Sequence, residues 1–110
     1  MTMTAQVGTK TMLAGSPGFQ PPEQLRAESV GIESDVYAFG AVLLVVFTER
    51  PVWEGLSPYQ IMYKVSVNNE TPNTAGLDKD MCLLCESCFH DKSHRPTSAE
   101  VLLKLLSINY

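Results

Sequence analysis

Hydrophobic residues along this chain recur in patterns that predict helices and no strand. A nearly uninterrupted apolar run at residues 36–47 is too broad for one face of a helix and predicts a helix buried on nearly every side. Ser34 or Asp35 can cap it, and Pro51 prevents it from continuing far beyond Thr48. No stretch alternates convincingly with a period of two, so a mainly α fold is expected.

A second helix is predicted by its start signal. Ser57 can serve as the N-cap, Pro58 suits the first helical position and Gln60 can close a capping box. This helix is expected to reach about Val67. Residues 1–22, in contrast, are rich in Thr, Gly, Ser and Pro and are predicted to form a loop.

Two further helices are predicted by start signals and amphipathic spacing. Asp78 can open the first of them, and the i, i+3, i+4, i+7 spacing predicts a buried face formed by Met81, Leu84, Cys85 and Cys88. Thr97 and Glu100 form a second capping box. In the helix that follows, the same spacing predicts a buried face formed by Ala99, Leu102, Leu103 and Leu106.

Composition narrows the classes of protein that this chain can belong to. Its 110 residues, 45% hydrophobic and 18% charged, suit one globular domain or part of one. The net charge of -4 gives no reason to expect nucleic acid as a partner. No apolar run approaches the roughly 20 residues that span a bilayer. The first residues do not resemble a secretory signal, and three closely spaced cysteines do not suggest a disulfide framework, so a cytoplasmic location is expected.

The cysteines raise the possibility of a metal site. Cys82, Cys85 and Cys88 have the Cys-x-x-Cys spacing of metal-binding sequences, and His90 and His94 follow closely. The alternative is that Cys85 and Cys88 act as small apolar residues on the buried face of a helix. We favour the second interpretation, because three ligands at successive i+3 steps drift around a helix instead of converging. No metal is therefore expected.

Three motifs, in order, carry a resemblance to a known family. They are SPGFQPPE at residues 16–23, SDVYAFG at residues 34–40 and HRP at residues 94–96. Together they resemble the last third of a protein kinase domain. The resemblance implies a truncated domain, 1–110, that is a partial, helical kinase C-lobe (residues 24–110) preceded by an activation-segment-like loop (residues 1–23).

The resemblance also implies roles for individual residues. It assigns peptide-substrate binding to Ser16, Pro17, Gly18, Phe19, Gln20 and Pro21. Glu23 is expected to form an ion pair with Arg95, although both could be plain surface charges. Asp35 is expected to anchor the catalytic loop by accepting backbone N–H bonds. Val42 and Val46 match positions beneath the adenine site.

Two residues near the start are candidate phosphorylation sites. Thr9 and Thr11 lie in the stretch that resembles an activation segment. A phosphate there would need a basic partner, and the arginine that the family uses for this purpose is not in this chain. Ordinary polar loop residues are an equally good interpretation of Thr9 and Thr11.

The residues that perform the chemistry of kinases are absent from this sequence. Phosphoryl transfer needs a loop over the phosphates, a lysine, metal ligands and a residue that receives the hydroxyl proton. No Gly-rich loop, Val-Ala-Ile-Lys, Asp-Phe-Gly or His-Arg-Asp motif is present. We therefore expect no catalytic residue here and no activity of the chain alone. ATP and Mg²⁺ would be cofactors of an intact parent kinase only.

Two functions are compatible with these expectations. The first is a C-lobe part of a Ser/Thr-directed or tyrosine-kinase-like protein kinase, and the Gly-Ser-x-Gly-Phe pattern resembles Ser/Thr kinases more than tyrosine kinases. Its partners would be a protein or peptide substrate and the missing N-terminal part of the domain. The alternative is a non-catalytic, pseudokinase-like interaction module that uses the surface from Trp53 to Val67. Because few helices remain to cover the central helix, an exposed apolar patch and marginal stability are also expected.

Overall fold

Helix α2 (Ile32–Thr48) lies at the centre of the fold. The computed structural model describes residues 17–108, so the predictions on Thr9, Thr11 and Ser16 fall outside the described residues. The other helices are α1 (Pro22–Leu25), α3 (Pro58–Ser66), α4 (Lys79–Cys88) and α5 (Ser98–Ser107), and a 3₁₀ turn spans Lys92–His94. Residues 17–108 contain no strand, which confirms the mainly α prediction.

The core forms where the inner face of α2 packs against α4. Apolar residues of α2 from Val36 to Leu44 lie against the predicted buried face of α4, and Phe89 closes the end of this contact. Gly40 permits the close approach, because a Cβ atom there would lie 2.6 Å from Cys88 Cβ. The α4 prediction is confirmed: its four apolar positions, Met81, Leu84, Cys85 and Cys88, are each no more than 4% exposed.

The predicted start signals of three helices are confirmed. The Ser57 hydroxyl accepts a hydrogen bond from the Gln60 amide at 3.2 Å, and the Gln60 side chain accepts one from the Ser57 amide at 2.8 Å. The Asp78 carboxylate accepts from an amide one turn later at 3.0 Å. Thr97 and Glu100 form the same reciprocal pair at 3.1 and 2.8 Å. These caps are local, so sequence alone could identify them.

The start of α2 differs from its prediction. The helix begins at Ile32 with Gly31 as N-cap, three residues before Ser34, the earlier of the two predicted N-caps, although its end at Thr48 is as predicted. Ser34 is buried within the first turn and is not the N-cap. Its hydroxyl accepts from the Gly31 amide at 3.3 Å, as the N3 residue of a capping box does, and donates to the Glu23 carboxylate of α1 at 2.8 Å.

The predicted buried face of α5 is wrong. Leu102, Leu103 and Leu106 are 55%, 67% and 73% exposed. The face that packs on the core instead contains Val101, which is 2% exposed, and the partly buried Leu105. Leucine or valine occupies most sides of this helix, so two faces satisfied the helical spacing and only packing against α4 selected one of them.

The outer face of α2 is exposed, as expected for a central helix with few neighbours. Ile32, Phe39 and Val46 are 70%, 42% and 59% exposed and recur at helical spacing on the side that faces away from α4. The helix is therefore not buried on all sides within this chain. No helix in residues 17–108 is both long and apolar enough to cross a membrane.

Candidate functional site

The segment at residues 17–21 is held against the core ahead of α1. Phe19 packs on the hydrophobic core. A Cβ atom at Gly18 would lie 3.7 Å from Val52 Cβ, an ordinary contact distance. Pro21 is almost completely buried, whereas residues 17–20 retain partial exposure. Of the predicted substrate-binding residues in the described range, 17–20 therefore present the accessible surface.

Glu23, on α1, and Arg95, after the 3₁₀ turn, are brought together across 72 positions of sequence. The guanidinium donates from Nη1 to Glu23 Oε2 at 2.7 Å and from Nη2 to Oε1 at 3.0 Å. The two side chains are 6% and 0% exposed. A planar guanidinium and a carboxylate in this parallel arrangement form a strong charge-assisted contact, and burial shields it from screening by salt.

Arg95 also connects two further segments. Its Nε donates to the His90 carbonyl at 2.8 Å, and Nη1 donates to the Glu33 carbonyl at 2.9 Å. The guanidinium carbon lies 5.0 Å from the centre of the Tyr37 ring, within cation–π range. Arg95 thus fastens α1, the start of α2 and the end of α4 to one another.

Ser34 is a member of this cluster that sequence analysis assigned to another role. Its hydroxyl donates to Glu23 Oε2 at 2.8 Å and accepts from the Gly31 amide at 3.3 Å. Ser34 is 5% exposed. Its spacing of three and seven residues from the buried Tyr37 and Ala41 was the available signal, because that spacing places Ser34 on the inner face of α2. We call Glu23, Ser34 and Arg95 the buried ion-pair cluster.

The electrostatics of the cluster favour the ionised carboxylate. Burial alone would raise the pKa of Glu23, but the hydrogen bonds from Arg95 and Ser34 outweigh it and hold the pKa below its ordinary value. Burial raises the pKa of Tyr37 far above its ordinary value. The Tyr37 hydroxyl has no hydrogen-bond partner among the described residues, so this phenol stays neutral and contributes mainly packing.

Asp35 lies on a different face from the ion-pair cluster. It is exposed on the outer face of α2, together with the exposed Phe39 and Val46 and the partly buried Val42. The structure therefore groups Asp35 with Val42 and Val46, which the resemblance had assigned to the neighbourhood of the ATP site. It separates Asp35 from Glu23 and Arg95.

A small cavity of about 210 Å³ lies where α2 ends and the next loop begins. It is lined by Leu44, Thr48, Arg50, Pro51, Val52, Trp53, Glu54 and Asn73. The indole nitrogen of Trp53 is buried without a partner among the described residues. The ring packs against the core, as a structural role for this side chain requires.

The three cysteines do not converge. Cys85 and Cys88 are fully buried in the core, where burial raises the pKa of their thiols to about 12 and about 11. Cys82 Sγ is partly exposed and lies 3.1 Å from Thr74 Oγ1. Within residues 17–108, no three His, Cys, Asp or Glu side chains are placed to hold a metal ion. Metal ligation requires thiolates, which burial of this kind disfavours.

Nearly the whole chain is similar in sequence to known protein kinases. Residues 2–106 match the family description of the protein kinase domain. The chain is 35% identical over 120 residues to a probable serine/threonine-protein kinase, CE0033, of Corynebacterium efficiens, covering 99% of this chain and 17% of that protein.

Proteins from two other organisms are also similar to this chain. Identity is 31% over 106 residues to the probable serine/threonine-protein kinase drkA of Dictyostelium discoideum, covering 94% of this chain and 16% of that protein. It is 32% over 100 residues to the serine/threonine-protein kinase PknB of Mycobacterium tuberculosis, covering 86% and 16% respectively. The chain thus spans about a sixth of the length of these curated relatives.

Proposed function

This chain belongs to the protein kinase domain family, and on that premise we propose that it is the peptide-facing and structural part of a Ser/Thr-directed kinase C-lobe. The observation that supports this role best is the buried ion-pair cluster. In this cluster, the hydrogen bonds of Glu23 attach the segment that begins at Pro17 to the helical core. Serine or threonine as the phosphate acceptor is proposed because the similar proteins are named serine/threonine-protein kinases and because of the sequence around Ser16.

In this proposal, peptide substrate lies along residues 17–20. This segment is partly exposed, and its backbone is stiffened on one side by Pro17 and on the other by Pro21 and Pro22. Phe19 anchors it to the core, and Gly18 lies over Val52. A surface whose position is fixed before binding loses little conformational entropy when a peptide docks on it.

The outer face of α2 is proposed to receive the part of a kinase domain that holds ATP and Mg²⁺. Asp35 shares this exposed face with the apolar side chains of Phe39 and Val46. A partner that covers the face would bury mainly apolar surface, so the contacting surface of that partner is proposed to be largely apolar. No motif for binding ATP or transferring phosphate occurs in this sequence, so the chain alone is proposed to be inactive. A reducing location such as the cytoplasm suits its three free cysteines.

A non-catalytic interaction module is the second candidate, and helix α3 supports it. Tyr59, Met62 and Tyr63 are 83%, 37% and 58% exposed and lie on one side of this helix. Aromatic and methionine side chains are common at protein–protein interfaces. The exposed side of α3 is therefore the surface that such a module would use.

Phosphoryl transfer from labelled ATP tests the first proposal. The 110-residue chain and the longest polypeptide that contains it are each incubated with Mg²⁺-ATP and matched peptides that differ only in Ser, Thr or Tyr at the acceptor position. We expect no transfer by the short chain and transfer to Ser and Thr by the longer one. Transfer by the short chain alone would contradict the proposal, as would exclusive transfer to Tyr. A longer polypeptide without Asp-Phe-Gly and His-Arg-Asp motifs that transfers nothing would favour the interaction module.

A further inference from the structure

The hydroxyl of Ser34 has a fixed direction. A serine hydroxyl has one proton to donate. Ser34 Oγ accepts from the Gly31 amide at 3.3 Å, and its proton goes to Glu23 Oε2 at 2.8 Å. Because Ser34 is 5% exposed, water does not compete effectively for either bond. The first turn of α2 therefore presents an oriented donor to α1.

This donor completes the contacts of the Glu23 carboxylate. Arg95 supplies one donor to each carboxylate oxygen, but its Nη1 group is shared with the Glu33 carbonyl at 2.9 Å. Ser34 adds a second donor to Oε2 from the opposite element of the fold. The carboxylate is thus held from two elements of the fold, and without Ser34 only the contacts from Arg95 would remain.

The orientation of this carboxylate determines where the peptide-facing segment lies. Only Pro21 and Pro22 separate Glu23 from Gln20, and proline fixes φ, so a shift of the Glu23 backbone would be transmitted in part to residues 17–20. Helix α1 has four residues and no side-chain cap of its own, so it cannot resist such a shift by itself. The position of the segment thus depends on contacts made by Glu23.

We propose that Ser34 is a positioning residue for peptide binding, acting through Glu23 on residues 17–20. This inference rests on the proposed function, because it presupposes that a peptide binds on those residues. Ser34 does not contact the peptide in this mechanism. It helps to hold the carboxylate where both oxygens meet the guanidinium, so that the segment is already in its binding position before a peptide arrives.

Steady-state kinetics of the longest polypeptide that contains this chain provide the first test. Ser34→Ala removes the donor, Ser34→Thr retains the hydroxyl, and Ser107→Ala is the matched control, because the Ser107 hydroxyl donates to a carbonyl of its own helix at 2.7 Å. We expect Ser34→Ala to raise the KM for peptide roughly three- to tenfold, because peptide binding would lose part of the free energy of one charge-assisted hydrogen bond. The KM for ATP should change less than about twofold. Ser34→Thr should recover most of the effect, and Ser107→Ala should change neither constant.

Titration of the Glu23 carboxyl carbon by NMR in the same variants provides the second test. Ser34→Ala should raise the pKa of Glu23, and Ser107→Ala should leave it unchanged. A lower melting temperature of Ser34→Ala with both KM values unchanged would overturn the inference, because it would show a role in stability alone. A peptide KM that rises while the Glu23 titration does not move would also overturn it. If the unsubstituted enzyme transfers no phosphate, the proposed function fails, and this inference fails with it.

Discussion

The inner face of helix α2 is buried against other parts of the chain, whereas the outer face is largely exposed within residues 17–108. On the inner face, Ser34 and Tyr37 lie beside Arg95, and every charge in this buried region has an oppositely charged partner. On the outer face, Phe39 and Val46 are 42% and 59% exposed, and the exposed Asp35 lies on the same side of the helix. One helix therefore combines a buried face, which is part of the core, with an exposed apolar face of the kind that marks an interaction site.

This difference distinguishes the residues that stabilise the fold from those whose exposed side chains are available to bind another domain or protein. The inner contacts join positions as far apart as Glu23 and Arg95, so they define the fold of this chain. The outer residues contribute little to that fold, because their apolar surface remains in water. Substitutions on the inner face should consequently lower the free energy of unfolding. Substitutions on the outer face should change association and leave the free energy of unfolding nearly unchanged.

Replacing Arg95 by Ala should have the largest effect. It would leave the buried Glu23 carboxylate without a cation, and we expect a loss of about 3–5 kcal/mol in the free energy of unfolding, measured by urea titration. Lys64→Ala is the matched control, because its ion pair with Glu70 at 3.3 Å is substantially exposed and should contribute no more than about 1 kcal/mol. Equal losses in the two variants would show that burial of the Glu23–Arg95 pair has no energetic consequence.

Replacing Gly40 by Ala should have the next largest effect. The new Cβ would lie 2.6 Å from Cys88 Cβ and 3.2 Å from Phe89 Cε1, so α2 and α4 must move apart. Such overpacking should cost about 1–3 kcal/mol in the same urea titration. Gly18→Ala is the control, because its Cβ would meet nothing nearer than 3.7 Å. A Gly40→Ala variant as stable as Gly18→Ala would contradict the close packing of the inner face.

Acid should weaken the inner face but not the outer one. Because the pKa of Glu23 is lowered in the folded chain, its contribution to stability is fully present above its unfolded pKa of about 4.3 and is lost as the pH falls through the folded value. Arg95 stays protonated throughout. Melting temperatures should fall from pH 6 to pH 3, and Glu23→Gln should make this fall shallower. An identical pH dependence in both proteins would show that Glu23 does not contribute.

Polar substitution of the outer face should have the smallest effect on stability. Phe39→Gln and Val46→Gln remove exposed apolar groups, so we expect changes within about 0.5 kcal/mol in urea. Light scattering at increasing concentration should nevertheless show less self-association than in the unsubstituted chain. Leu44→Gln is the contrasting variant, because Leu44 is 2% exposed and its replacement should unfold the chain. Unchanged self-association in Phe39→Gln and Val46→Gln would mean that another surface is responsible.

Local features of this fold could be predicted from the sequence because the interactions that create them are local. The capping groups of Ser57, Asp78 and Thr97 act within three or four residues of themselves. The buried face of α4 was also predictable, because apart from Cys82 and the exposed Leu83 its other sides are polar, and only one set of apolar residues has helical spacing. The resemblance to a kinase C-lobe depended on ordered motifs, and the family match is consistent with it.

Sequence by itself thus determined the helical class, the N-caps of α3, α4 and α5, the end of α2 and the family of this protein. The tertiary structure alone decided which side of α5 is buried. Two sides of that helix have apolar residues at helical spacing, and only the side that contains Val101 packs against the core. It also decided the role of Ser34, which could have been the N-cap of α2 but lies in its first turn, where its hydroxyl accepts from the Gly31 amide and donates to the Glu23 carboxylate. That choice depends on a partner eleven residues away in the chain, and local sequence carries no information about the distance between such atoms in space.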